Sequence, residues 1–207
     1  AMQSCMDILD CGYGLLKLYP PLQRNYPSKE NELTFAQPGI GENGGVFCHA
    51  NTWAIIANCI LGNNESAYKI YKDLIPHNIV EKFGVDYYNA EPYIYSSNIR
   101  GPMALMGGTA GVSWLSGTAT WMMMALSEYI FGVKPTFNGL KIKPCIPNEW
   151  EKVTLNRKFR GTNYVINIDN SAKCGNKVKE ILVNGKVFNG EIISSKEKQV
   201  DITVIMG

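Results

Sequence analysis

Phe131-Gly132-Val133-Lys134-Pro135 is where the hydrophobic spacing of this chain changes, and that change decides the fold class. Upstream, residues 121–133 are apolar at nearly every position but contain Ser127 and Glu128. That pattern reads as a buried helix, short of the roughly 18 apolar residues of a membrane span. The helix starts near Ser116-Gly117-Thr118, and Gly132 is placed to cap its C-terminus. Downstream of Pro135 the period becomes two. Val153, Leu155 and Phe159 share one face of a strand interrupted by Arg157, and Arg160-Gly161-Thr162 turns the chain into residues 164–168. Asn184-Gly185, between Ile181-Leu182-Val183 and Lys186-Val187-Phe188, is the signature of a two-residue hairpin. Val200, Ile202 and Val204 alternate cleanly. Short strands at this spacing predict a small C-terminal β-sandwich.

Further upstream the spacing is helical. Residues 49–61 place Trp53, Ile56 and Ile60 on one face, and Trp53, like Trp114 and Trp121, suits either a sugar platform or the core. Ala67, Ile70, Tyr71 and Leu74 repeat at three and four before Pro76, which is expected to end that helix with His77 at the surface beyond it. Two long segments, 19–47 and 78–108, carry no clear period, and loops of that length in a compact domain are expected to line a site. The fold class is therefore multi-domain α + β, a helical piece over residues 1–134 followed by an all-β piece over 135–207.

Composition narrows the function classes. Of 207 residues, 45% are hydrophobic and 18% charged, as in an ordinary core-forming protein. A net charge of +2 with scattered lysines argues against a nucleic-acid partner, and no segment is long and apolar enough for a membrane partner. Six cysteines and two histidines match no zinc spacing, so no metal and no cofactor is expected, and the cysteines read as reduced core residues. With no secretory leader pattern, a cytoplasmic location is expected. The opening Ala1-Met2-Gln3-Ser4-Cys5 reads as the middle of a helix, the expectation being a fragment of a longer chain.

Three segments could carry chemistry. In Gly39-Ile40-Gly41-Glu42-Asn43-Gly44-Gly45-Val46-Phe47-Cys48-His49, four glycines let backbone approach a ligand that Glu42 and His49 would grip. The same text also reads as a flexible turn before a helix with a solvated histidine. In Trp114-Leu115-Ser116-Gly117-Thr118-Ala119-Thr120-Trp121, small residues at a helix start either offer free N–H groups to an anion or provide an ordinary N-cap. Glu91-Pro92-Tyr93-Ile94-Tyr95 suits a sugar platform, since pyranose rings have apolar faces and hydroxyl edges, or a set of core tyrosines. Glu42 and Glu91 could also serve as a glycosidase carboxylate pair.

Taken in order, these blocks resemble the cellobiose phosphorylase family of inverting glycoside phosphorylases. The matching text continues through Gly139-Leu140-Lys141-Ile142, Pro144-Cys145-Ile146-Pro147 and Trp150 to Phe159-Arg160-Gly161, so the resemblance covers nearly the whole chain. It implies the last helices of an (α/α)6 barrel over residues 1–134, followed by a β-sandwich over 135–207. It implies cleavage of a β-linked disaccharide such as cellobiose, or of a short oligosaccharide, with inorganic phosphate as co-substrate, giving an α-sugar 1-phosphate. By resemblance His49, Ser116 and Gly117 bind phosphate and Glu42 binds the leaving sugar. The general-acid aspartate is expected upstream of this chain, so no catalytic residue falls within it, and the parent is expected to be a homodimer. The chemistry is coherent. Phosphate is already an anionic nucleophile and needs positioning donors rather than a general base. The His49 imidazole is expected to face the Ser116 hydroxyl and Gly117 N–H across a gap about one phosphate wide. Gly41 stands where cellobiose phosphorylases carry lysine, which alters the acceptor subsite, whereas Ser116 keeps the hydroxyl of their threonine. Two other classes stay open, a non-catalytic carbohydrate-binding or structural fragment and an inverting glycoside hydrolase.

Overall fold

A computed structural model of the chain describes residues 1–23 and 37–207, and within them the helices precede most of the strands. The chain divides into two compact units, Ala1–Ala57 with Lys69–Met123, and Asn58–Tyr68 with Met124–Gly207. No helix among the described residues is long and apolar enough to cross a membrane.

In the first unit, α1 (Met2–Leu9) is followed by the short strand β1 (Val46–Phe47), which runs directly into α2 (Cys48–Leu61), whose residues from Asn58 onward are counted with the second unit. The inward face of α2 is not its apolar stripe. Trp53 and Ile60 are 52% and 64% exposed, whereas Cys48, Asn51, Thr52, Ile55, Asn58 and Cys59 are buried. The polar members tolerate burial because their bonds are made. The Asn51 side chain accepts from the Leu15 N–H at 2.6 Å and donates to the Leu15 and Phe47 carbonyls at 3.0 Å each. Thr52 returns its hydroxyl to the His49 carbonyl at 2.6 Å. In α3 (Asn64–Asp73) the expected stripe is buried at Ala67 and Ile70 and continues to Leu74 just beyond the helix.

α3 ends at Asp73, before Pro76 as expected, and Pro76 itself opens a further helix, α4 (Pro76–Phe83), at the first turn, where its missing N–H costs nothing. His77 is therefore at a helix start, exposed, with Nε2 3.1 Å from Glu81. Segment 78–108 is less irregular than its sequence suggests. It contains most of α4, then α5 (Val85–Tyr88) and β2 (Asn98–Ile99), which pairs antiparallel with β1 through Val46 and Ile99. Of the other segment, 19–47, residues 24–36 lie outside the described residues. The third expected helix begins as α6 (Thr118–Met124) and continues as a π-helical stretch, Ala125–Ile130, that nothing in its spacing announces. Gly132 closes it at φ +67°, and a side chain there would strike the Lys143 carbonyl, so glycine is required on both counts.

The second unit holds the remaining strands. β3 (Val133–Thr136), β4 (Gly139–Ile142) and β9 (Ile192–Ile193) form one antiparallel sheet. β5 (Lys152–Phe159), β6 (Thr162–Asp169), β7 (Val178–Val183), β8 (Lys186–Val187) and β10 (Gln199–Met206) form a five-stranded sheet in the order β5-β6-β10-β7-β8. The β5–β6 and β7–β8 turns are the two predicted, with Arg160-Gly161 and Asn184-Gly185 all at positive φ, as the primed hairpin turns require. β10 runs parallel to β6 and antiparallel to β7, filling the centre of the sheet. Tyr164, Ile166 and Ile168 of β6 and Val200, Ile202, Val204 and Met206 of β10 are all buried, which is the period-two pattern made physical.

Candidate functional site

The glycine loop before α2 is held, not flexible. Gly39 donates to the Asn43 carbonyl at 2.7 Å, Asn43 to Ile40 at 3.1 Å, and Gly45 to Gly41 at 3.1 Å. Asn43 is fully buried and pairs with both backbone groups of Leu22, at 2.7 and 2.9 Å. A side chain on Gly39 would collide with the Ala104 backbone, so close packing rather than mobility explains this glycine. Glu42 projects from the loop half exposed, ion-paired with Lys17. Neither Asn43 nor Lys17 stands out in the sequence. Their partners lie 21 and 25 positions away, and no local pattern records pairings at that distance.

His49 sits in the first turn of α2, and the start of α6 meets its ring. A methyl group built on Gly117 would lie 3.0 Å from His49 Cε1 and 3.3 Å from Nδ1, so Gly117 touches the imidazole rather than facing it across a gap. The Ser116 hydroxyl accepts from the Thr118 N–H at 3.1 Å and bonds the Thr118 hydroxyl, so it caps α6. Of the three anion-site residues expected, the structure thus brings His49 and Gly117 into contact, with Ser116 adjacent in the chain and turned to Thr118. His49 Nε2 is buried and has no hydrogen-bond partner among the described residues. Aromatic rings surround the imidazole, with centroids at 5.2 Å for Trp53, 5.7 Å for Trp121 and 6.3 Å for Phe47.

The third segment also approaches the anion-site loop. Trp114, held at φ +68°, donates its indole N–H to Glu91 at 2.8 Å. That bond, together with backbone bonding at Glu91, holds the carboxyl below the usual glutamate range. A carboxyl held ionised is a poor proton donor, which weighs against Glu91 as a glycosidase acid. Tyr93 is largely exposed, whereas Tyr88 is buried, which pushes its phenol up to about 12. Within Glu91–Tyr95, Tyr93 is at the surface and Tyr95 is half-buried, which pushes its phenol up.

Much of the sequence is shared with known proteins. Residues 1–132 match the sequence model of the glycosyl hydrolase 94 superfamily, catalytic domain. The chain is 33% identical over 193 residues to the solabiose phosphorylase of Paenibacillus borealis, covering 92% of this chain and 24% of that protein. It is 38% identical over 163 residues to the N,N'-diacetylchitobiose phosphorylase of Vibrio proteolyticus, covering 77% of this chain and 20% of the relative. It is 29% identical over 204 residues to the 3-O-beta-D-glucopyranosyl-beta-D-glucuronide phosphorylase of Paenibacillus borealis, covering 96% of this chain and 26% of the relative. The chain spans about a quarter or less of the length of the first two relatives. With well over half its residues matched to that catalytic domain, the chain belongs to the glycosyl hydrolase 94 superfamily.

Proposed function

We propose that this chain is the C-terminal part of an inverting disaccharide phosphorylase, in which His49, Ser116 and Gly117 cradle the attacking phosphate and Glu42 holds the departing sugar. One observation carries the reading, the buried and unpartnered Nε2 of His49 lying against the start of α6. An unpaired buried nitrogen costs on the order of 1–3 kcal/mol, and an anion placed there would remove that cost. The first N–H groups of a helix add positive potential at the same point. Phosphate attacks the anomeric carbon from the face opposite the leaving oxygen, which inverts the centre and gives an α-sugar 1-phosphate from a β-linked substrate. Because the nucleophile arrives charged, the only proton transfer needed is to the leaving oxygen, from an aspartate expected upstream of Ala1.

On this reading residues 1–134 are the last helices of an (α/α)6 barrel and 135–207 a β-sandwich, in a cytoplasmic homodimer. A cellobiose-like β-glucoside is the proposed substrate. The test is phosphorolysis by the full-length protein carrying this chain. His49→Ala should raise KM for phosphate at least tenfold, about 1.4 kcal/mol, and raise KM for the disaccharide less. A larger rise for the disaccharide than for phosphate would remove His49 from the phosphate site.

A further inference from the structure

Glu42 does not meet a ligand alone. Its carboxylate is ion-paired with Lys17, and both side chains remain partly open, at 52% and 36% exposure. Lys17 is fixed from two other directions. Its backbone N–H donates to the Gly45 carbonyl at 2.8 Å, and its ammonium stands 4.8 Å from the centre of the Phe47 ring, a cation–π distance. Phe47 in turn is the aromatic neighbour of His49. Beside the pair lies a cavity of about 200 Å³ lined in part by Lys17, Phe47, Ala50 and Asn51. The pair is therefore anchored to Gly45 and β1, directly ahead of the turn of α2 that carries the candidate phosphate ligand.

A carboxylate offers about four acceptor directions and an ammonium three donor N–H groups, and in this pair only some are used on each other. What remains is an acceptor edge and a donor edge side by side with their charges cancelled. Vicinal hydroxyls of a pyranose, each both donor and acceptor, match that edge. A sugar carrying a carboxylate or an ammonium would meet one like charge whichever way it turned. Resting on the assignment of Glu42 to the leaving-sugar side, we propose that Lys17 is a second acceptor-recognition residue. The Lys17–Glu42 pair selects neutral acceptor sugars through two adjacent hydroxyls.

The experiment uses the full-length protein in the synthetic direction, with an α-sugar 1-phosphate as donor and glucose, glucuronate and glucosamine as acceptors on one pyranose frame. The unaltered protein should prefer the neutral sugar. Lys17→Gln leaves Glu42 uncompensated and should move relative kcat/KM toward glucosamine. Glu42→Gln leaves Lys17 uncompensated and should move it toward glucuronate. Each shift should be on the order of fivefold, as expected for a partly exposed pair. Lys17→Arg keeps the charge and should keep the neutral preference. A merely structural Lys17 would instead lower kcat/KM for all three sugars alike, and that result overturns the proposal. If Glu42→Gln alters acceptor KM while Lys17→Gln alters none of the preferences, Lys17 is excluded and Glu42 keeps its place. If neither variant moves acceptor KM, the assignment of Glu42 itself falls.

Discussion

At the scale of single residues, the contact between Gly117 and the His49 ring leaves no slack. Gly117→Ala would put a methyl 3.0 Å from Cε1, tighter than an ordinary contact, so the ring must move by a few tenths of an ångström. If that ring positions phosphate, the variant should raise KM for phosphate on the order of threefold to tenfold with the fold intact, readable by kinetics beside a melting curve. Glu91 offers a pH test. Its folded-state pKa is depressed by the Trp114 indole bond, so the contact is fully present above the ordinary glutamate pKa and is lost as pH falls through the depressed value. The Trp114 indole N–H resonance should therefore titrate below the usual glutamate range, and Glu91→Gln should abolish that titration. Cysteine chemistry follows burial as well. Burial pushes the Cys48 thiol up to about 12 and is the largest influence raising that of Cys11 to about 11. Both should resist alkylation at neutral pH in the native protein and react once it is unfolded, as mass spectrometry of labelled peptides would show.

The lesson at the scale of elements lies in α2. Its spacing places Trp53 and Ile60 on one face, yet the buried face is another and carries three polar residues. Hydrophobic spacing could not find it, because what permits burial of Asn51 is a pair of backbone groups on Leu15, 36 positions away. Asn51→Leu would keep the volume and strand those groups, and should cost about 2–4 kcal/mol in denaturant unfolding. Elements whose determinants are local were legible. The Asn184-Gly185 hairpin, the alternation of β10 and the stripe of α3 depend on neighbours within a few positions. The π-helical stretch 125–130 was not legible, since its apolar text suits an α-helix equally well. Gly132 was legible as a cap, and its second constraint, the Lys143 carbonyl, was not. Gly132→Ala should destabilise by more than the roughly 1 kcal/mol of a left-handed alanine alone, because strain and collision add.

At the scale of the whole molecule, several blocks in a fixed order made the family legible, whereas the placement of each side chain was not. His49 and Gly117, 68 positions apart, were brought together by the family resemblance, and the folded chain shows contact in place of the expected gap. The ring of aromatic side chains around His49 was only partly legible, because Trp53 and Trp121 each suited a sugar platform or the core equally well. On the proposed function the 207-residue chain alone should release no sugar 1-phosphate from cellobiose, since loss of the general acid costs on the order of 10²–10⁴ in rate. Measurable release by the purified chain would place the acid within it. The order of strands in the larger sheet has a further consequence, for synthesis on the ribosome. β6 ends at Asp169 and its inner neighbour β10 begins at Gln199, 30 positions later (199 − 169). At about 5–20 residues per second, β6 waits roughly 1.5–6 s with one edge bare while the intervening chain is made. That bare edge, with Tyr164, Ile166 and Ile168 beside it, is a template for pairing with another nascent chain. A message cut short just before the codon for Gln199 would leave every copy in that condition, and its product should be found in inclusion bodies rather than in the supernatant.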